Sequence, residues 1–209
     1  MQQQPIKTKQ SAQWLWSLDN DHPLRDATEQ FIRNGYRHHF QATEISFLPT
    51  LTSLWVDGQI KAAAGYCSAA NHTLFLEHYL NKPIESLLGL RWQRSVQRHD
   101  ILEIGNLFAT FPGGLRAIII FFLQLCQSQQ LPYVVFTATK QLAHSFQRLG
   151  IPLYIIGNAS GSALATNQQG WGSYYEHQPQ VSALLVTDVA AVLPRLQQGL
   201  QIITNLEIG

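Results

Sequence analysis

The sequence predicts one α/β domain, built on a mixed sheet with helices on both faces. An antiparallel hairpin is indicated around Asp57-Gly58, because this dipeptide lies between two apolar runs, 51–56 and 60–68. From residue 101 onwards, strand-like and helix-like segments alternate, which is typical of neighbouring strands joined by crossover helices. A chain of 209 residues fits a single domain of this kind.

The first part of the chain is predicted to hold helices around this hairpin. Apolar residues at helical spacing indicate a helix over 26–40, with Gly35 near its C-terminal end. Segment 71–90 also carries apolar residues at helical spacing, and Pro83 divides it into two short helical pieces.

The second part supplies the central strands. Strands are predicted at 101–110 and 133–137, and the latter is rich in the β-branched and aromatic residues of a buried strand. The helix between them, 115–129, is apolar nearly all round, which indicates burial on more than one side. The remaining predicted elements are a helix at 140–149, a strand at 151–156, a loop at 158–172, a strand at 181–186, and a helix capped by Asp188 that ends near 199.

Composition and charge exclude some classes of function. Charged residues make up 13% of the chain, against roughly 25% in an average soluble domain, and the net charge is +1. This charge gives no field that holds a polyanion, so nucleic acid is not an expected partner. Cys67 and Cys126 lie in apolar stretches without metal-ligand spacing, so we expect buried free thiols and no metal site.

The N-terminal residues 1–18 are rich in Gln, and we expect a mobile segment there, followed by one domain over 19–209. This segment lacks the apolar core and the small-residue cleavage site of a secretory signal. The longest apolar run, 117–123, is far shorter than the ~20 residues that a membrane-spanning helix needs. We therefore expect a cytoplasmic protein that is at most peripheral to a membrane.

The turn after the first central strand contains a pair of glycines, Gly113 and Gly114, directly before a helix. Glycines let the backbone approach a ligand there, and the amides of a first helical turn bind anions. Arg116 in that turn would oppose the helix dipole unless an anion offsets it. The pattern is compatible with a pyrophosphate or phosphopantetheine site. It also describes a plain strand–helix turn with a surface arginine, because a glycine pair is a weak motif.

Several segments together resemble the thermostable hemolysin family. The most specific is LFLEHYLNKPIE at 74–85, and the others are FLP at 47–49, EIGNLFA at 103–109, PGG at 112–114, VVFTAT at 134–139 and FQRLGI at 146–151. That family is related to the acyl-CoA N-acyltransferase superfamily and, more closely, to acyl-homoserine-lactone and N-acyl-amino-acid synthases. The resemblance covers roughly residues 30–185 and implies a mostly antiparallel sheet in which the central parallel strands splay at one end.

The resemblance further implies that an acyl thioester lies in the V between the two central strands. Acyl-CoA or acyl-phosphopantetheine would be a co-substrate rather than a tightly bound cofactor. The implied donor-binding residues end the strand and open the next helix: Leu107, Phe108, Ala109, Gly113, Gly114, Leu115 and Arg116. The first three would pair with the pantetheine through their backbone, and the others would hold the phosphate.

Glu103 is similar in position to the glutamate that serves those synthases as general base for an amine. Its neighbours Leu102 and Ile104 are apolar, and an apolar environment raises the pKa of a carboxylate, which suits this role. An acid paired with an arginine or with backbone amides is the alternative interpretation.

The chain departs from the superfamily pattern at two places that concern the donor. The turn at 111–116 lacks the usual pyrophosphate-loop pattern, so a weaker hold on phosphate is expected, and acyl-carrier protein is a reasonable donor beside free coenzyme A. Phe146 stands where the superfamily often has a tyrosine acting as general acid, and Thr139 roughly where it often has an asparagine.

Three functions remain open at this point. The first is an N-acyltransferase or synthase that moves a fatty acyl group from acyl-carrier protein or acyl-CoA to a small, amino-acid-like amine. The second is direct hemolysis, although no long amphipathic segment of the kind that a membrane-active protein uses is predicted. The third is a non-catalytic domain that binds acyl thioesters or lipids, which Phe146 favours.

Overall fold

The computed structural model of the chain describes residues 12–111, 113–164 and 168–198. Within them the strands form one sheet: β1 (Ala12–Leu18), β2 (Thr50–Val56), β3 (Gln59–Ser68), β4 (Ile101–Ala109), β5 (Tyr133–Ala138), β6 (Tyr154–Asn158) and β7 (Gln180–Leu185). Their order is β1-β2-β3-β4-β5-β7-β6. Only β4 and β5 run parallel among the paired strands of this sheet. The predicted mixed, mostly antiparallel sheet with a central parallel pair is therefore confirmed.

Helices cover both faces of the sheet: α1 (Arg25–Phe40), α2 (Ile84–Trp92), α3 (Gly114–Ser128), α4 (Lys140–Leu149), α5 (Val186–Ala191) and α6 (Leu193–Gln197). Val134 and Phe136 of β5 pack in one core with α3. Tyr133 and Val135 of the same strand pack in a second core with α2. Successive residues of a strand point to opposite faces, so these two cores lie on opposite sides of the sheet.

The predicted hairpin is present as β2 and β3. Asp57 and Gly58 have φ angles of 51° and 75°. A two-residue turn of this type requires a positive φ at both positions, and a residue pair of Asp and Gly meets that requirement at low cost. The local sequence therefore determines this connection.

Two elements differ from their prediction. The strand predicted at 151–156 begins only at Tyr154, because Ile151 is buried and its amide donates to the carbonyl of Phe146 at 3.0 Å, closing the end of α4. Asp188 does not cap the last helices. The helix α5 follows β7 directly, so Asp188 lies in its first turn and accepts a hydrogen bond from the hydroxyl of Tyr154 at 3.3 Å.

The expectation of a mobile segment over residues 1–18 needs a correction for its last part. Residues 12–18 form β1, which pairs with β2 from Ala12 opposite Val56 to Leu18 opposite Leu51. An edge strand of this kind depends on its partner 30 or more residues away, which local sequence does not reveal. Residues 1–11, and the predicted end of the last helix near 199, lie outside the described residues.

The parallel strands separate after four residue pairs, so the predicted splay is also confirmed. Ile101 to Ile104 of β4 pair with Tyr133 to Phe136 of β5. Beyond this point β4 continues alongside β3, and β5 continues alongside β7. The separation coincides with a register shift between β3 and β4 at Asn106, whose φ is 51°. One extra residue in β4 forms a β-bulge there, which bends the strand.

The side chain of Asn106 connects this bulge to the segment before β2. Its Oδ1 accepts a hydrogen bond from the amide of Leu48 at 2.9 Å, and its Nδ2 donates to the carbonyl of Ser46 at 2.8 Å. Asn106 and Leu48 are both buried, so the amide of Leu48 has no ready access to water as a substitute. On β3, a Cβ at Gly65 would lie 2.7 Å from Oδ1 of Asn106, so this glycine leaves room for the amide.

We expect Asn106→Gly to lower the free energy of unfolding by about 2 kcal/mol or more. Glycine accepts the positive φ, so the loss reports mainly the two hydrogen bonds. Leaving the buried amide of Leu48 unsatisfied costs about 1–3 kcal/mol, and the hydrogen bond to the carbonyl of Ser46 is worth about 1 kcal/mol. Urea denaturation followed by circular dichroism measures this difference. The control is Asn34→Ala on the exposed side of α1, which should change the value by less than about 0.5 kcal/mol. An Asn106→Gly protein as stable as its parent would contradict this role of the side chain.

Candidate active site

A cavity of about 510 Å³ lies where β4 and β5 separate, and residues from both faces of the sheet line it. The part on the side of α3, called the α3 chamber, is lined mainly by apolar side chains, and the polar Gln141 and Ser145 of α4 also line it. Its apolar lining residues are Ile118, Ile119, Phe122, Leu123, Leu142, Phe146, Leu184, Val186 and Val189. The part on the opposite face, called the Glu103 chamber, has an aromatic wall and polar groups: Tyr36, Phe40, Phe47, Phe75, Tyr79, Trp171, Tyr174, His72, Thr73, His78 and Glu103. The gap between the strands therefore joins two spaces of different chemistry.

Glu103 lies on β4 three residues before Asn106, and only 4% of its surface is exposed. Its register partners are Cys67 on β3 and Val135 on β5. The two oxygens of its carboxylate accept hydrogen bonds from the amides of Phe75 at 2.7 Å and Leu76 at 2.9 Å. The contacts of Glu103 are those of the alternative interpretation, a carboxylate held by backbone amides. Glu103 also lines the cavity, and its role as a general base stays a prediction.

Burial raises the pKa of Glu103 to about 7. The amides of Leu76 and Phe75 oppose this shift because they stabilise the ionised form, and the nearby carboxylate of Glu77 adds to it. A carboxyl group that titrates near neutral pH is able to take up a proton from a reacting amine and release it again.

The two amides that hold Glu103 belong to a 3-10 helical turn, Phe75–Tyr79. Glu77 stabilises this turn, since its carboxylate accepts hydrogen bonds from the amides of Leu74 at 2.8 Å and Ile84 at 3.0 Å. Hydrogen bonds from Arg98 and these amides lower the pKa of Glu77, although its burial opposes the shift. The turn is therefore held by a carboxylate that stays ionised.

Arg98 connects the segments around residues 69–72 and 77–85 through hydrogen bonds and ion pairs. Its guanidinium pairs with Glu77 at 2.9 Å and Glu85 at 2.7 Å, and donates to the carbonyls of Ala69 at 2.9 Å and His72 at 2.7 Å. Glu77 and Glu85 raise the pKa of Arg98, so the cation is permanent. Sequence analysis missed this role of Arg98. The only signal was the specific 74–85 segment, which contains both acids but not the arginine.

The predicted donor-binding residues reach the cavity only in part. Among the described residues that line it, Leu107 is the sole member of that set. The backbone of Leu107 forms a hydrogen bond with the hydroxyl of Tyr36, whose pKa is raised by burial. Phe108 packs on the α1 side, with its ring 5.1 Å from that of Phe31. The pairing of pantetheine with the backbone of Phe108 and Ala109 stays a prediction.

Hydrogen-bonding groups in the turn at Gly113 and Gly114 already contact other parts of the protein. Gly113 has a φ of 87°, and the amide of Gly114 donates to the carbonyl of Phe111 at 3.0 Å. A side chain at Gly114 would overlap Ala109, so close packing is one reason for glycine at this position. Arg116 donates to the carbonyl of Gln198 at 2.7 Å. Phosphate binding by Gly113, Gly114, Leu115 and Arg116 stays a prediction, and the amide of Gly114 and the guanidinium of Arg116 already have protein partners.

Two further groups in the cavity bear on its chemistry. Burial raises the pKa of Cys67 to about 11, so its thiol is protonated and a poor nucleophile near neutral pH. Both cysteines are free and buried, as predicted. Phe146 lies in the α3 chamber and stacks on Phe136, with ring centroids 5.2 Å apart. This position therefore adds apolar surface rather than a proton donor.

A model of the thermostable hemolysin family matches residues 18–190 of the chain. Among curated protein sequences, none matches. Among solved structures, FeeM, an N-acyl amino acid synthase from uncultured soil microbes, is 14% identical with a TM-score of 0.59 over 87% of this chain and 94% of that chain. The AHL synthase LasI is 10% identical, with a TM-score of 0.60 over 88% and 95% of the two chains. The CoA-dependent acyl-homoserine lactone synthase MesI is 12% identical, with a TM-score of 0.54 over 92% and 96%. These similarities show a shared fold.

The raised pKa of Glu103 makes stability depend on pH. Between the unfolded value of about 4.5 and the folded value of about 7, the folded state keeps a proton that the unfolded state releases. The stabilisation is fully present below the unfolded pKa and is lost as pH rises through about 7, by roughly 3 kcal/mol in total. We therefore expect the parent protein to lose about this much stability relative to Glu103→Gln between about pH 4 and pH 8.

Urea denaturation of both proteins at several pH values measures this difference. Exposed Glu176→Gln provides the baseline for exchanging a glutamate for glutamine. A stability difference between the parent and Glu103→Gln that stays constant across this range would show that the pKa of Glu103 is not raised.

Proposed function

The chain belongs to the thermostable hemolysin family, and we propose that it is an N-acyltransferase that moves a fatty acyl group from a thioester donor to a small amine. One observation carries this proposal: a single cavity connects an apolar chamber to a buried carboxylate whose pKa is about 7. An acyl chain requires an apolar chamber, and the activation of an amine requires a carboxylate that accepts a proton near neutral pH. The fold shared with synthases that form acyl amino acids and acyl lactones supports the same reaction class.

The α3 chamber suits the acyl chain. Most of its described lining residues are apolar, and transfer of each methylene group from water to such a lining is favourable by about 0.8 kcal/mol. With the chain in this chamber, the thioester carbonyl would lie in the gap between β4 and β5. Glu103, Thr137 and Thr139 are among the residues that line the cavity.

The reaction uses Glu103 as general base. The carboxylate takes a proton from the ammonium form of the acceptor, and the free amine attacks the thioester carbonyl carbon. A C–N bond forms, the C–S bond breaks, and the donor leaves as a thiolate, whose protonation balances the second proton that the nitrogen loses. A thiol has a pKa of about 8.5, far below that of an alcohol or an amine, so it leaves without a strong acid. This agrees with Phe146 in place of an acidic side chain.

The donor is an acyl-phosphopantetheine, carried by coenzyme A or by an acyl-carrier protein. Occupied contacts at Gly114 and Arg116 favour a carrier protein, which would add contacts of its own outside the cavity. Such donors are made in the cytoplasm, and we place the protein there, at most peripheral to a membrane.

The same reaction offers an account of the family name. An acylated amine is an amphiphile that partitions into bilayers and disturbs them at high density. In the described part of the chain, no helix combines the length and the apolar character needed to cross a membrane. Lysis would then arise from the product rather than from the protein.

Exchange of Glu103 for glutamine should lower kcat/KM for amine acylation by about 10²- to 10⁴-fold, the usual contribution of a general base. The affinity for a non-reactive acyl thioester should remain unchanged, because the α3 chamber is intact. In the parent, kcat/KM should rise with pH through about 7 as Glu103 ionises. Release of free thiol measures the rate, and Glu176→Gln is the matched control. A parent that binds the thioester but acylates no amine would indicate a non-catalytic binding domain.

Purified, lipid-free protein should not release dye from liposomes, because its apolar helices cover the sheet and their exposure would cost ~25 cal/mol for each Å² returned to water. Addition of the acyl donor and an amine should cause leakage with the parent protein and not with Glu103→Gln. Equal leakage by both proteins in the absence of donor would show that the protein itself is the lytic agent.

A further inference from the structure

Resting on the proposed acyl transfer, we infer that the acceptor is a primary amine that carries an aromatic or similarly flat apolar group and no carboxylate. This class differs from the amino-acid-like acceptor that the resemblance implies. Two properties of the Glu103 chamber support it, namely the sign of its charge and the continuity of its aromatic wall.

Among the described residues that line the cavity, Glu103 is the only Asp, Glu, Lys or Arg. The α-carboxylate of an amino acid would therefore be repelled whenever Glu103 is ionised, and no Lys or Arg among these described lining residues would compensate for it. An ammonium group, in contrast, is attracted to the carboxylate of Glu103, which must take its proton. The chamber thus distinguishes an amine from the amino acid with the same side chain.

The arginines packed around the chamber are engaged by acids of the protein. Arg98 pairs with Glu77 and Glu85, and two carboxylates outweigh its single charge. Arg33 lies over the ring of Phe47 at 4.6 Å and pairs with Glu29 at 3.0 Å. Neither arginine is among the cavity-lining residues of the described chain.

A further arginine lies behind the cavity wall. Arg25 also pairs with Glu29, at 2.9 Å, and donates to the carbonyls of Leu18, Leu48 and Pro49. It is 5% exposed, so its donors are directed to the backbone and not to the cavity. A ligand carboxylate would have to compete with these partners for the guanidinium.

The histidines of the chamber are the remaining cationic candidates. His78 is exposed, and its Nδ1 lies 2.8 Å from the carbonyl of Phe75, which requires a proton on that nitrogen. His72 is also exposed and lies between the cavity and the outer surface near Arg98. Both are at the mouth of the chamber, where water screens a charge, whereas Glu103 is buried at its base.

The wall of the Glu103 chamber consists of aromatic rings in mutual contact. Trp171 lies 6.0 Å from Phe75, 5.4 Å from Tyr174 and 6.2 Å from Tyr36, measured between ring centroids. Burial raises the pKa of Tyr36 and Tyr174, so these phenols add no negative charge. The hydroxyl of Tyr79 is paired with that of Tyr175 at 2.7 Å. A flat ring packs favourably against such a wall, and an ammonium is attracted to the ring faces.

The product of this reaction carries no charge. The ammonium gives one proton to Glu103 and one is lost from the nitrogen after attack, the C–N bond replaces the C–S bond, and the departing thiolate takes up a proton. A neutral N-acyl arylalkylamine leaves the Glu103 chamber without the repulsion that the carboxylate of an N-acyl amino acid would feel.

Three acceptors of equal ring size separate charge from shape: phenylethylamine, phenylalanine and phenylalanine methyl ester. With octanoyl-coenzyme A as donor, we expect kcat/KM for phenylethylamine and for the ester to exceed that for phenylalanine at least tenfold. Trp171→Ala should raise KM for phenylethylamine several-fold and leave that for butylamine less affected, because the flat ring loses its wall. Equal or better acylation of phenylalanine would overturn the inference.

A binding measurement keeps the inference separate from the proposed reaction. Calorimetry should show tighter binding of phenylethylamine than of phenylalanine to the parent protein, whether or not turnover occurs. If the amine is preferred but no donor is consumed, the proposed function fails and the inference about the chamber stands. If phenylalanine binds as tightly as phenylethylamine, the inference fails whatever the protein catalyses.

Discussion

The separation of β4 from β5 is the constraint on which the rest of the structure depends. Parallel strands normally stay hydrogen-bonded, and the bulge at Asn106 bends β4 away where the pairing with β5 ends. The Asn106 side chain holds this bend by bonding to the backbone of Ser46 and Leu48. Without the gap, the two faces of the sheet would be sealed from each other, and no cavity would connect α3 with Glu103.

A buried acid next to this gap requires support, because desolvation disfavours its charged form. Glu103 receives two amide hydrogen bonds, and the turn that provides them depends in turn on Glu77 and Arg98. The support is incomplete, so the pKa of Glu103 stays raised and its proton remains exchangeable near neutral pH. A fully compensated carboxylate, such as Glu77, keeps its charge and serves the architecture instead.

The division of the cavity would give each of the proposed reactants a separate environment. The α3 chamber offers mainly apolar contact, which suits the proposed acyl chain. The Glu103 chamber combines one buried carboxylate with a wall of rings, and this combination selects by charge and shape. A hemolytic effect of the family is then compatible with an enzyme whose apolar residues stay inside, since the amphiphile would be the product.

Local sequence determined most elements of this protein, because their signals lie within a few residues: the Asp57-Gly58 turn, the split at Pro83, and α4 with Gly150 at its end. A resemblance in the sequence also indicated Glu103 as a candidate general base, and the structure shows that this residue lines the cavity. Its amide partners, the arginine behind them and the aromatic wall around Trp171 come from segments that are distant along the chain. Only the tertiary structure decided how these segments meet, because a pKa, a cavity and the sign of its charge depend on neighbours in space rather than in sequence.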